Sequence, residues 1–574
     1  MNILLRFLNL VENKLIKRKI FALFLARFIS SLMELLGIAM ILPVINVMFE
    51  PKKILSIIDD YEVLNFLYIT DISKLTFVIL LLTLVIYAIK NLFILFVNYF
   101  QATIAKEFIS EITSKVFSNI VKKKYLYFTG ENSTNFIKII ANDSTLLKNN
   151  FNHLTNIISE SFTIILIFSL LFVAQPYAMV STIILFTFGS LIFLLLLKKK
   201  TKIWSLGRSL YEKKRLKIVR QIINSIRDLK LLDIEKNFLK QFEKDNNNFL
   251  NVNRKQEVII TAPKLWIEML TILAVVSLVY ILIFFENYEI IPETIFPILA
   301  LYVGASFKLI PSFNKIIAGV QSIRFVSPII DEFNILLNQK GNDFNQDQLK
   351  NEKIIFNKCI KIKDLNFYYN NRDTILENLY LDIIKGEKIG LLGKSGSGKS
   401  TLLDIVTGML DNYEGQIIVD GKNILNGLKS WRNSISYLSQ DVVLLEDTIK
   451  NNILLGSSIE NKKLIENSIT KSLLQNLIYL LPEKENTMIG ENGIKLSGGE
   501  KQRIGVARAF YLKRDLLILD ESTNALDIET EEKIINNLWN EFYDKTIIQV
   551  SHNPKALIKC DKIYKISDKK LIQI

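Results

Sequence analysis

The residues best placed to do chemistry form one run, Gly393-Lys394-Ser395-Gly396-Ser397-Gly398-Lys399-Ser400-Thr401. Its spacing fits the pattern G-x-x-x-x-G-K-[ST]. Glycines at those places let backbone N–H groups close on phosphate oxygens, and a helix that starts there adds a favourable dipole. Lys399 then reaches the β- and γ-phosphates of a nucleotide, and the Ser400 hydroxyl ligates Mg2+. A second run, Leu516 to Asp520 followed by Glu521, is an apolar strand ending in two acids. Asp520 would hold Mg2+, and Glu521 would orient and polarise an attacking water. Together the two runs predict an ATP site.

A third run is Leu496-Ser497-Gly498-Gly499-Glu500-Lys501-Gln502-Arg503. Ser497 and the backbone of Gly498 and Gly499, at a helix start, make a second anion cradle. Here the chain resembles the ABC ATPase family, whose signature reads LSGGQ; Glu500 stands where Gln is usual. In that family this cradle faces ATP bound to the opposite subunit. The resemblance covers 358–574 and implies further roles. Tyr369 matches the aromatic that stacks on adenine. Gln440 matches the glutamine that couples Mg2+ to the membrane domain. His552 matches the histidine that contacts the γ-phosphate. Asn524-Ala525-Leu526-Asp527 fits the loop after the second acid, with Asn where Ser is usual. Hydrolysis at both sites of a symmetric homodimer, with ATP and Mg2+, is therefore expected.

The elements that must position these residues are short apolar strands alternating with helices from Lys358 onward, an α/β P-loop domain with a largely parallel sheet. The N-terminal half is different. Hydrophobic residues make up 50% of the 574-residue chain, and mean hydropathy is +0.27. A bilayer-crossing helix needs about 20 apolar residues. Six stretches qualify: 20–49, 75–100, 155–174, 177–197, 265–285 and 295–319. The third and fourth are joined by Gln175 and Pro176 alone, a tight hairpin. Connections 50–73 and 286–294 are acidic, whereas Lys122 to Lys124 and Lys198 to Lys200 lie on the other side. Both termini are thus cytoplasmic. Long helical connections at 101–154 and 198–263 reach toward the C-terminal domain, and Gly130 to Ser133 breaks the first with turn residues. Ile54 to Leu67 reads as a short interfacial helix. The resulting organisation is an all-α transmembrane domain at 1–325, a linker at 326–357 and the ATPase domain at 358–574.

The net charge of +14 follows from cations flanking apolar segments, which speaks against nucleic acid. Cys359 and Cys560 have neither metal spacing nor a disulfide framework. No cleavable leader is visible between Met1 and Lys19. The apolar stretches or their edges hold Arg27, Glu34, Lys90, Lys264, Glu268, Lys308 and Lys315. A lysine at mid-bilayer costs about 2.5–3.5 kcal/mol, so it should face the protein interior. Lys90, Lys264 and Lys308 come from three helices and would line a cavity for a polyanion such as a pyrophosphate. The alternative has Lys264 snorkelling at the cytoplasmic boundary and the others pairing with Glu34 or Glu268.

Several stretches also resemble the lipid-linked oligosaccharide flippase of bacterial protein N-glycosylation. They are Pro263-Lys264-Leu-Trp-Ile-Glu268, Lys308-Leu-Ile-Pro311-Ser312-Phe-Asn314-Lys315-Ile, Ser31 to Phe49 and Ile86 to Lys90. That family has Arg where Lys90, Lys264 and Lys308 stand; charge is kept but bidentate phosphate geometry is lost. The resemblance implies a multi-pass protein of the bacterial inner membrane that flips a polyprenyl-pyrophosphate-linked glycan to the outer leaflet. Other expectations are an exporter of lipid A-like molecules or of a peptide, or an ATP-gated channel. A soluble DNA-repair-type ATPase would need a coiled coil where this chain has membrane spans.

Overall fold

The computed structural model describes residues 6–7, 10–49, 72–130, 133–284, 292–338, 352–369, 374–457, 459–522 and 525–574. The expected helix at Ile54–Leu67 and most of the two acidic connections lie outside them. The chain divides into two compact units. One comprises 1–122 and 131–340; the other comprises 123–130 and 341–574.

The first unit is helical. Its main elements are Lys14–Ala39, Ile41–Phe49, Ile72–Val121, Ser144–Ala174, Pro176–Asn224, Glu235–Phe284 and Pro292–Asn338. The helix Ile72–Val121 has 50 residues. At 1.5 Å per residue it runs about 75 Å, well beyond a bilayer core of about 30 Å. Among the described residues, five helical stretches are long and apolar enough to cross a membrane. The expected sixth span, 295–319, falls on Pro292–Asn338. Large apolar side chains on Ile72–Val121, such as Leu84, Leu92 and Leu95, are exposed, as suits a lipid-facing surface. Helices approach closely at small residues. A Cβ on Gly304 would sit 2.4 Å from Ile41 Cδ1, and one on Gly189 would sit 2.6 Å from Leu270 Cδ1. Such contacts carry helix association where lipid is as apolar as the side chains. The hairpin at Gln175 is as tight as the sequence suggests. Gln175 is extended and Pro176 opens the next helix, where a missing N–H costs nothing.

One boundary differs from expectation. Residues 326–338, placed in the linker by composition, continue the last long helix to Asn338. Val326, Ile329, Ile330, Phe333, Leu336 and Leu337 are all buried. Their helical spacing gives the segment an apolar face to pack, so it stays ordered.

Among its described residues the second unit holds ten strands: β1 (Cys359–Tyr368), β2 (Thr374–Ile384), β3 (Lys388–Leu392), β4 (Glu414–Val419), β5 (Lys422–Asn423), β6 (Ile435–Leu438), β7 (Leu516–Asp520), β8 (Thr546–Ser551), β9 (Lys562–Ser567) and β10 (Lys570–Gln573). They form a four-stranded antiparallel sheet, β2-β1-β4-β5, and a six-stranded sheet, β10-β9-β3-β8-β7-β6. In the larger sheet β9, β3, β8, β7 and β6 run parallel. The nearly continuous burial of β3, β7 and β8 matches strands covered on both faces. Leu391, Ile518, Ile548 and Val550 pack into one core with Leu402, Leu403 and Val406 of the helix Lys399–Val406.

Candidate functional site

Parallel strands direct all their carboxyl ends to one edge, where the following loops meet. β3 leads into Gly393–Gly398, β6 into Gln440, β7 into Glu521 and β8 into His552. These are four separate sequence signals that share one spatial address. One open cleft is lined by Ser395, Gly396, Gly398, Lys399, Ser400, Thr401, Gln440, Asp520, Glu521 and His552, together with Ile375.

The loop after β3 needs its glycines. Gly396 and Gly398 have φ of +79° and +100°, a region that side chains with a Cβ rarely enter. A Cβ on Gly393 would come within 2.5 Å of Ser397 Oγ. Gly398 then caps the helix Lys399–Val406. Lys399 is 8% exposed, and its Nζ donates to the carbonyls of Gly393 at 2.8 Å and Lys394 at 3.1 Å. It also lies 3.8 Å from Glu521 Oε1. Ser397 Oγ is buried with no hydrogen-bond partner among the described residues. The cradle thus has the shape, the cation and an uncommitted hydroxyl that a triphosphate would use.

Glu521 sits at φ +45°, so the chain turns sharply as β7 ends. Its backbone N–H donates to Val550 O, while its carboxylate faces the cleft. His552 Nδ1 is 3.7 Å from Glu521 Oε1. Asp520 accepts a hydrogen bond from Tyr437 Oη at 2.8 Å. Burial raises the Asp520 carboxyl above the usual range, the charge of Glu521 adds to this, and the Tyr437 bond and Lys399 oppose it. Ser400, Asp520 and Gln440 offer hard oxygen donors in the same cleft, the ligand chemistry that Mg2+ prefers. Among the described residues no group of three or more His, Cys, Asp or Glu could hold a metal alone. Mg2+ that shares few protein ligands with substrate phosphates fits that arrangement.

Ser497 to Glu500 do not line this cleft. Ser497 caps the helix Gly498–Leu512, and Glu500 completes a reciprocal capping box with it. Gly498 and Gly499 abut Ala525 and Leu526. Tyr369 also stands outside the lining; its ring meets Phe367 edge-on at 4.8 Å. Asn524 is outside the described residues.

The membrane cations are only partly gathered. Lys308 Nζ pairs with Glu34 at 2.7 Å and lies 4.0 Å from Glu160. Lys315 pairs with Glu160 at 2.6 Å, and Ser312 donates to the same carboxylate. Lys90 stacks over the Tyr87 ring, with Gly37 below its ammonium. Lys264 is exposed. The pairing of Lys308 with Glu34 is the alternative the sequence offered, whereas the buried Glu160, which meets Lys308 and Lys315, carried no signal there.

Sequence reasoning also passed over Ile375 and gave Tyr437 no role. The register Tyr437↔Ile518 places Tyr437 beside Asp520, and only strand pairing shows it.

Comparisons with known proteins agree with this geometry. Residues 376–524 match the ABC transporter family and 20–304 match the ABC transporter transmembrane region. Proteins of Staphylococcus aureus that carry the name multidrug export ATP-binding/permease protein are similar. The one from strain NCTC 8325 / PS 47 is 38% identical over 216 residues, 37% of each chain. The one from strain bovine RF122 / ET3-1 is 39% identical over the same length. The chain spans about 37% of the length of these curated relatives. A structure of a bacterial Atm1-family ABC exporter with ATP bound superposes with a TM-score of 0.81 at 18% identity, covering 98% of this chain and 95% of that one. That likeness shows the fold: a helical transmembrane domain and an α/β nucleotide-binding domain.

Proposed function

We propose that this chain, an ABC transporter subunit joining a transmembrane region to an ATP-binding domain, works as a homodimer in the bacterial cytoplasmic membrane. It hydrolyses ATP to export a lipid-borne anion, and we take its cargo to be a polyprenyl-pyrophosphate-linked oligosaccharide moved from the inner to the outer leaflet. The observation that carries the ATPase reading is the cleft that joins Lys399, Asp520, Glu521 and His552.

Lys399 and the backbone of 393–398 hold the triphosphate. Ser400, Gln440 and Asp520 would hold Mg2+, which would neutralise phosphate charge when bound. Glu521 orients and polarises the attacking water, and His552 steadies the γ-phosphate. Ser497, outside the cleft, is free to close a site on a second copy. The helical transmembrane domain, whose last helix runs to Asn338, the linker that follows it and the domain 358–574 divide this labour into transport, connection and hydrolysis.

Support for the cargo comes from the membrane residues. Arg27, Lys90, Lys308 and Lys315 outnumber Glu34 and Glu160 on four helices, so a dianionic head group would balance the cluster. The names of the relatives favour a second reading, export of drug-like amphiphiles.

Reconstitution in liposomes decides between them. Wild type and Glu521→Gln are loaded with a lipid-linked glycan or a lipophilic dye, and exposure at the outer leaflet is followed with and without ATP. The glycan should become accessible only with wild type and ATP. Transport of the dye with no movement of the glycan would overturn the cargo assignment.

A further inference from the structure

The short helix Tyr125–Gly130 belongs to the same compact unit as the ATPase domain, although only Lys122 to Lys124 separate it from the long helix Ile72–Val121. Lys124 pairs with Asp411 at 3.0 Å, and Leu126 packs against the sheet core. Between those anchors Tyr125 lines a pocket together with Asp404 and Tyr437. Tyr437 is the residue whose hydroxyl donates to Asp520 Oδ2 at 2.8 Å. One residue therefore lines the pocket beside the short helix and donates its hydroxyl to the carboxylate assigned to Mg2+.

We propose that Tyr437 is a positioning residue that transmits the seating of Tyr125 to the orientation of Asp520. The inference deepens the ATPase reading and rests on it. A carboxylate with two equivalent oxygens can rotate; a fixed donor on one oxygen leaves the other aimed in one direction. The ring is rigid about two torsions, so a shift at its pocket end carries to the oxygen end. Gln440 lies three residues further along the chain from this residue, which places both on the segment that leads from β6 into the cleft.

The test is Mn2+ binding to the full-length, ATP-loaded homodimer in nanodiscs, read by electron paramagnetic resonance, alongside the metal dependence of turnover. Tyr437→Phe keeps the ring and loses the donor. It should weaken Mn2+ binding at least about ten-fold, the loss of one hydrogen bond to a charged group, and should raise the KM for metal while leaving kcat at saturating metal near wild type. Tyr125→Ala should shift Mn2+ binding in the same direction, and the double variant should be no worse than the weaker single. Wild-type Mn2+ affinity in Tyr437→Phe would overturn the positioning role. Multiplicative effects in the double variant would overturn the transmission from Tyr125. Because Mn2+ binding is read without turnover, a protein that binds metal and ATP yet hydrolyses nothing would refute the ATPase reading alone.

Discussion

Glu500 stands where the ABC signature carries Gln, and its surroundings explain the tolerance. Its carboxylate accepts from the Ser497 backbone N–H at 2.6 Å, while Ser497 Oγ accepts from Glu500 N–H at 3.3 Å. A glutamine side-chain oxygen can take the same place. Glu500→Gln should leave thermal stability near wild type, whereas Glu500→Ala should cost about 1 kcal/mol; equal melting of all three would contradict the capping role. Asp404 gives a pH-dependent counterpart. Burial, then the charge of Asp520, raises its carboxyl from 3.8 to about 6. A folded value above the unfolded one means that its contribution to stability is full below the unfolded value and is lost as pH rises through about 6. Asp404→Asn should therefore raise the melting temperature at neutral pH more than at a pH below the ordinary carboxylate range; a pH-independent difference would argue against the burial penalty. Spacing marked Lys399, Asp520 and Glu521, because each sits in a run with a fixed chemical pattern, and the resemblance to the ABC ATPases marked Gln440 and His552. Asp404 and Tyr437 have no such run. Their roles come from neighbours brought by sheet register and from the fold around Asp520.

At the element scale the antiparallel sheet depends on one glycine. Gly415 has φ +97°, and a Cβ there would lie 2.3 Å from Asp364 O and 2.5 Å from Lys363 O. This is where the β1–β4 register shifts, between Lys363 and Asn366, and Asp364 itself has φ +50°. Gly415→Ala should cost roughly 1–3 kcal/mol of backbone strain, seen as earlier unfolding of the nucleotide-binding domain; an unchanged unfolding midpoint would show that the bulge relaxes freely. Strand and helix types were legible from period and composition, since parallel strands buried on both faces must be apolar throughout. The end of the last membrane helix was not. Val326 to Leu337 carries a helical apolar stripe, but the polar run that begins at Asn338 drew the boundary too early. Glu34 is among the partners the sequence offers for Lys308, but Glu160 is not, because residues 126 positions apart become neighbours only when Lys14–Ala39 packs on Ser144–Ala174.

At the scale of the whole molecule the question is how many chains make one site. The cleft has a phosphate cradle, acids and a histidine, yet the Ser497 cradle is not among its lining residues. If that cradle serves a second copy, defects in the two cradles must complement one another. A subunit with Lys399→Ala cannot hold the triphosphate but still offers Ser497. A subunit with Ser497→Arg blocks its own signature but keeps its phosphate loop. Each variant alone gives a dimer with two dead sites. In a mixed dimer the intact loop of the Ser497→Arg chain meets the intact signature of the Lys399→Ala chain, so one site of two is restored. Co-reconstituted at equal amounts, half of the dimers are mixed if pairing is random, and each of those has half its sites. Hydrolysis should therefore recover to about a quarter of wild type if the sites act independently, and to less if both must fire. Activity in either single-variant preparation, or none in the mixture despite proven mixed dimers, would mean that each chain completes its own site.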